Sequence, residues 1–143
     1  MLLVRSFLLG VVSGGRSMSG LAAVALTSRS GPLARPWTRA LTAAGALGEL
    51  AGDKLPNAPS RLQPPALAVR AATGAAAAAA LAARAHAAPA LHAIPGAAGA
   101  ILGSVAGARW RSYADRRGWP PLAAALLEDA VVIALAAAIS HRR

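Results

Sequence analysis

The chain of 143 residues contains no cysteine. Disulfides, zinc–thiolate sites and cysteine nucleophiles are all excluded by that one absence, which says nothing about redox compartment. Aromatic residues are scarce, at 3%. A soluble core of this size normally uses Phe and Tyr as large fillers, and single-strand nucleic-acid binding needs aromatic stacking platforms. Acidic residues number five, and charged residues of both signs reach only 14%. A soluble domain carries roughly 25%, so this surface is not clothed in charge as water requires.

What is present is aliphatic. Hydrophobic residues make up 56%, mainly Ala, Leu and Val. Small side chains suit helices whose backbones touch, as membrane bundles prefer. Strands are not expected, because no period-2 alternation appears and Ala is a poor strand former. The net charge is +10, and Lys54 is the only lysine. Such a charge raises nucleic-acid binding, but the Arg residues are scattered rather than gathered on one polar segment. Basic residues flanking apolar spans are expected instead. The excess of Ala and Arg over Lys fits a GC-rich bacterial genome.

Five apolar stretches divide the chain. Span A covers about residues 2–27, interrupted at Ser13-Gly14-Gly15-Arg16-Ser17. Span B covers about 39–55, span C about 65–88, span D about 91–108 and span E about 120–139. A helix needs about 20 residues to cross roughly 30 Å of hydrocarbon. Proline marks the breaks: Pro32 and Pro36 between A and B, Pro56 to Pro65 between B and C, Pro89 and Pro95 between C and D, and Pro120-Pro121 before E. The expected fold is all-α: one polytopic transmembrane bundle over residues 1–143, of four or five Gly/Ala-packed helices.

Met1 to Gly48 has no acid and scattered Arg and Ser, as transit peptides do, but is too apolar for one. Leu8 to Val12 reads as a short signal-peptide core, yet the segment carries the Arg16 motif and is expected to be retained. The loop between A and B holds Arg29, Arg35 and Arg39, and the loop between D and E holds Arg109, Arg111, Arg116 and Arg117. Both call for the cytoplasmic side, and five full crossings would place them on opposite sides. Either span A or span D is therefore expected not to cross, and span A, broken near Gly14-Gly15, is the better candidate.

Span D carries Gly96, Gly99, Gly103 and Gly107 on one helical face. Span B repeats the stripe with Gly45, Gly48 and Gly52, and span A has Gly10 and Gly14. Such stripes let backbones approach closely. Leu9-Gly10-x-Val12-x-Gly14-x-Arg16 is echoed by Leu102-Gly103-x-Val105-x-Gly107-x-Arg109, and internal repeats recur in transporter folds.

The charges within the spans are the most informative residues. Glu49 and Asp53 share a face of span B, followed by Lys54. Glu128 and Asp129 sit inside span E, Arg16 at the break in span A, and Arg70 in span C. A charge facing lipid is costly, so such residues point inward and pair. Arg16, Lys54, Arg70 and Arg109 balance Glu49, Asp53, Glu128 and Asp129, so a polar cluster linking spans A, B, C and E is expected. It reads in two ways: a staple between helices, or the lining of a path for a proton, ion or small solute. Other chemistry finds no support. His86, His92 and His141 lack acids at ligand spacing. The serines lack a His-Asp arrangement, and no phosphate loop occurs. No enzyme, metal or cofactor is expected. Trp37, Trp110 and Trp119 lie at span ends, as interface anchors do.

Gly14-Gly15-Arg16-Ser17, the run Gly48-Glu49-Leu50-Ala51-Gly52-Asp53-Lys54-Leu55-Pro56, Pro59-Ser60-Arg61 with Pro64-Pro65 and Arg70, the Gly face of span D, and Glu128-Asp129 together resemble a small bacterial membrane-protein family known as domain of unknown function number 4126. The Glu-x-x-x-Asp-Lys-x-Pro stretch is the specific part. The resemblance covers most of the chain and implies a multi-pass protein of the bacterial inner membrane, without a substrate. The expected partners are the lipid bilayer and further copies of the chain, since so small a Gly-rich bundle has faces to spare.

Overall fold

A computed structural model describes residues 1–52 and 62–141. Among these the chain forms six α-helices, one short 3-10 turn and no strand. The helices are α1 (Leu2–Gly15), α2 (Ser17–Thr27), α3 (Pro36–Gly52), α4 (Pro64–Arg84), α5 (Pro89–Arg116) and α6 (Pro121–His141). Six helices arise from five apolar stretches because span A folds as two. Arg16 separates them in an extended conformation, with φ −143° and ψ 109°.

Proline opens α3, α4, α5 and α6, where its missing N–H costs nothing and its fixed φ suits the first turn. Pro95 does not end a helix, contrary to the sequence reading. It lies inside α5, which runs eight residues beyond the expected end of span D. The end of α5 is set by Gly118, at φ +69°. Its N–H bonds Asp115, and the Trp119 N–H bonds back to Ala114, closing the helix with a left-handed residue.

The contacts fix the directions. Phe7 meets Gly99 and Val11 meets Gly103, so α1 and α5 run parallel. Gly74 of α4 meets Gly96 and Ala100 in the opposite sense, so α4 is antiparallel to both. Gly20 of α2 abuts Ser13 and Leu9 of α1, so α2 turns back along α1. The pair forms a hairpin whose tip, Gly14 to Ser17, lies inside the bundle. Its base lies beside the end of α4, where the Arg84 guanidinium reaches the Thr27 hydroxyl at 2.9 Å. The helices α4, α5 and α6 pack around it, and α3 lies along α2. The core gathers Leu9, Val12, Val24, Ala77, Leu81 and Val132, so the hairpin is its centre.

The hairpin does not reconcile the two basic loops. Three helices, α3, α4 and α5, still separate them, so they lie at opposite ends whether or not span A crosses. The two copies of the internal echo run side by side and parallel, which is not the geometry of an inverted repeat.

Along the α1–α5 seam the glycines sit against backbone. A Cβ at Gly10 would run into the Gly96 carbonyl, one at Gly14 into the Ala100 carbonyl, one at Gly99 into Phe7 and one at Gly103 into Val11. Gly74, which the stripes did not include, is as tight: its Cβ would fall 2.7 Å from the Gly96 oxygen. Gly45 faces the Met18 side chain at 3.1 Å. Gly48 departs from the expectation. It is exposed, with nothing within 4 Å of where a Cβ would stand, because only part of the α3 stripe turns toward α2. Gly52 ends α3, and Gly107 is half-buried.

Three helices, α4, α5 and α6, are long and apolar enough to cross a membrane. At 1.5 Å per residue, the 21 residues of α4 and α6 span about 32 Å. The outward faces are also apolar: Leu91, Ile94, Leu102, Leu126, Val131 and Ile133 are all exposed. So much apolar surface is foreign to a soluble monomer and suggests a membrane protein.

Candidate functional site: a charged helix break

The hairpin tip leaves two helix ends inside the bundle. The last carbonyls of α1 and the first amides of α2 have no intrahelical partners. Buried away from water, each unmet group would cost about 1–3 kcal/mol. The protein meets them with side chains of the matching charge.

Arg70, buried on α4, donates through Nη1 to the Gly14 carbonyl at 2.8 Å and the Gly15 carbonyl at 3.0 Å. The buried Ser104 hydroxyl of α5 adds a 3.2 Å bond to Gly14 and a 2.8 Å bond to Ala100. A cation therefore stands at the negative end of the α1 dipole. At the positive end of α2 stands a carboxylate. Glu49 accepts from the Ser17 N–H at 3.0 Å, the Met18 N–H at 2.8 Å and the Ser17 hydroxyl. Arg70 Nη2 lies 3.7 Å from Glu49 Oε1, so the two terminal charges also face each other.

Arg16, between the helices, is fully buried. Its Nε donates to Asp129 Oδ1 at 2.8 Å, and its Nη2 bonds the same oxygen. Asp129 is itself buried on α6. Arg suits such a partner because its planar fork keeps its charge and presents several donors at once. Gly14 and Gly15 make the turn fit. A Cβ on Gly15 would come 2.7 Å from Val132, one turn along from Asp129.

Arg16, Glu49, Arg70 and Asp129 thus meet at one depth of the bundle, drawn from the break, α3, α4 and α6. Glu128, also buried, takes a neighbouring partner: Arg111 of α5 donates to it at 3.1 Å. Arg109, one of the four cations expected to balance the acids, is exposed instead. Because α5 stays helical to Arg116, Arg111 is a helix residue rather than a loop residue. It continues the Gly103, Gly107 spacing by four, and that stripe is the sequence signal that identifies it. Asp53 and Lys54 lie outside the described residues.

At the base of the hairpin the partners differ. Arg39 Nε donates to the Ala25 carbonyl at 3.2 Å, and its Nη2 to Ser28. Arg84 adds the Thr27 carbonyl at 3.3 Å, and Arg5 reaches the Ile139 carbonyl at the end of α6. Arg5 Nε, Ser6 Oγ and His92 Nε2 in this half, and Ser13 Oγ beside the tip, are buried without a hydrogen bond.

No family model, curated protein or solved structure matches the chain. Its chemistry is read from its own geometry.

Proposed function

We propose that the protein is an integral membrane protein with a structural or accessory role. In this reading α3 to α6 cross the bilayer, and α1–α2 is a re-entrant hairpin locked among them by Gly/Ala packing and charge. One observation carries the reading: every charge at the break answers a helix end or another charge of the chain. Glu49 occupies the amides at the start of α2, Arg70 occupies the carbonyls at the end of α1, and Arg16 holds Asp129. Non-helical backbone at membrane depth is tolerated where it is buried in protein, and this arrangement supplies that burial. The likeness to domain-of-unknown-function family 4126 and a bacterial inner-membrane location belong to the same proposal, resting chiefly on the Glu-x-x-x-Asp-Lys-x-Pro run from Glu49 to Pro56, with Gly14-Gly15-Arg16-Ser17, Arg70 and Glu128-Asp129 beside it.

A second reading is a small transporter or channel. It is favoured by the discontinuous helix, whose two termini point into the bundle as they do at transporter binding sites. A buried ion pair also adds little stability over a well-packed apolar pair, so holding helices together does not by itself require charge.

Cysteine accessibility decides between them, since the chain has no cysteine of its own. Ser17→Cys places a thiol at the tip, and Ala125→Cys places one a helical turn from Glu128 and Asp129. Under the structural reading neither thiol reacts with a charged reagent from either side of the membrane. Labelling at both positions in folded protein would mean that water reaches the network, and the transport reading would replace it.

A further inference from the structure

The helices α5 and α6 follow one another through a short turn, yet they splay apart below it. Between them lies an open cleft of about 320 Å³, floored by α1. Val11 forms part of the floor, and Gly107, Trp110, Leu127 and Val131 form part of the walls. The lining is almost wholly apolar, and its one acid, Glu128, is neutralised by Arg111. A cleft of this kind in a bilayer admits hydrocarbon.

The turn end of the cleft is different. Trp110 donates its indole N–H to the Ala124 carbonyl at 3.1 Å, which pins the wall to α6. Tyr113 stacks on Trp110 with centroids 6.1 Å apart, and Trp119 meets it edge-on at 5.6 Å. The Arg117 guanidinium sits 5.2 Å above the Tyr113 ring. Arg109 and Arg116 are exposed on the same last turns of α5. An apolar slot thus opens at a rim of aromatic rings and cations. Aromatic rings mark the headgroup level, and basic pockets between membrane helices hold anionic headgroups.

We infer that this cleft binds an anionic phospholipid, with an acyl chain between α5 and α6 and the phosphate at the arginines of the α5–α6 turn. The site rests on the membrane placement proposed above, but on neither reading of the charged network. Hydrophobic length matching alone would favour no headgroup, whereas the rim charge does.

The test uses Trp110 as its own reporter, in the full chain carrying Trp37→Phe and Trp119→Phe. The purified protein is placed in vesicles of phosphatidylcholine, with a trace of phosphatidylglycerol or phosphatidylcholine brominated on the acyl chain. Bromine quenches an indole that it touches. The brominated phosphatidylglycerol is expected to quench at roughly fivefold lower mole fraction for each arginine that engages the phosphate. Arg117→Gln should remove about that factor. Ala106 also lines the cleft and is exposed; Ala106→Leu narrows it and should abolish the preference while the helix content stays unchanged. Native mass spectrometry of the wild-type chain with both lipids gives the same comparison without the tryptophan changes. Equal quenching by the two lipids would overturn the site and leave ordinary boundary lipid. Protection of Trp110 in a dimer that Ala106→Leu dissociates would overturn it in favour of a second copy in the cleft. Release of the chain from membranes by an alkaline wash would instead refute the membrane placement itself.

Discussion

The tip and the base of the α1–α2 hairpin both present helix ends to the protein interior, and they are closed with different charges. At the tip both signs are used. Glu49 meets amides, Arg70 meets carbonyls, and Arg16 meets Asp129. At the base the charged partners are cations: Arg39 and Arg84 on the end of α2, and Arg5 on the end of α6. The four described acids, Glu49, Asp115, Glu128 and Asp129, all lie in the tip half of the bundle. This explains how fifteen basic residues coexist with five acids. Many of the arginines answer peptide dipoles, which need a positive group but no carboxylate. The difference teaches that the tip is a buried electrostatic unit, while the base is a set of separate caps near the surface.

That contrast can be broken most directly at Asp129. Its replacement by Ala takes from the fully buried Arg16 guanidinium the carboxylate that it bonds through Nε and Nη2, and breaking a buried pair costs about 3–5 kcal/mol. Denaturant unfolding in micelles should report that loss. The double variant Arg16→Met, Asp129→Leu should recover most of it. A double variant as unstable as the single would show that the pair is not the unit.

Packing at the tip gives the next effect. Gly14→Ala drives a methyl into the Ala100 carbonyl and should cost about 1–3 kcal/mol by overpacking. Gly48→Ala faces open space within a helix and should instead gain about 0.5–1 kcal/mol. Thermal unfolding of the two variants side by side would expose the difference in sign. If both are neutral, the α1–α5 seam is looser than its glycines imply.

The smallest effect belongs to the base. Arg39→Gln removes a half-buried cation from the end of α2, and about 0.5–1 kcal/mol should be lost at low ionic strength. Added salt should shrink that loss further while leaving the Asp129 effect nearly intact. Equal losses and equal salt dependence at the two ends would erase the distinction between them.

The sequence carries a good part of this. Helical character, the proline starts and the break at Gly14-Gly15 follow from local chemistry, because each depends on residues close in the chain. The inward placement of Arg16, Glu49, Arg70 and Asp129 also follows, since apolar surroundings give a charge few other places. The pairing does not. Which arginine answers Glu128 depends on how far α5 continues past Ala108, and a window ended at the first charge stops one turn too early. The return of α2 along α1 is equally hidden. A broken helix reads the same whether it resumes its course or reverses, and only the contact of Gly20 with Ser13 and Leu9 separates the two. The roles of Arg39 and Arg84 as carbonyl caps leave no pattern, because a peptide carbonyl is present at every residue.

Arg16 and Asp129 are 113 residues apart, and this separation has a consequence in time. A ribosome makes the hairpin well before α6, so while those intervening residues are synthesised the buried arginine has yet to meet Asp129. Assembly of the centre therefore waits on the arrival of α6, and a chain interrupted before α6 keeps a cation at its heart without the Asp129 carboxylate.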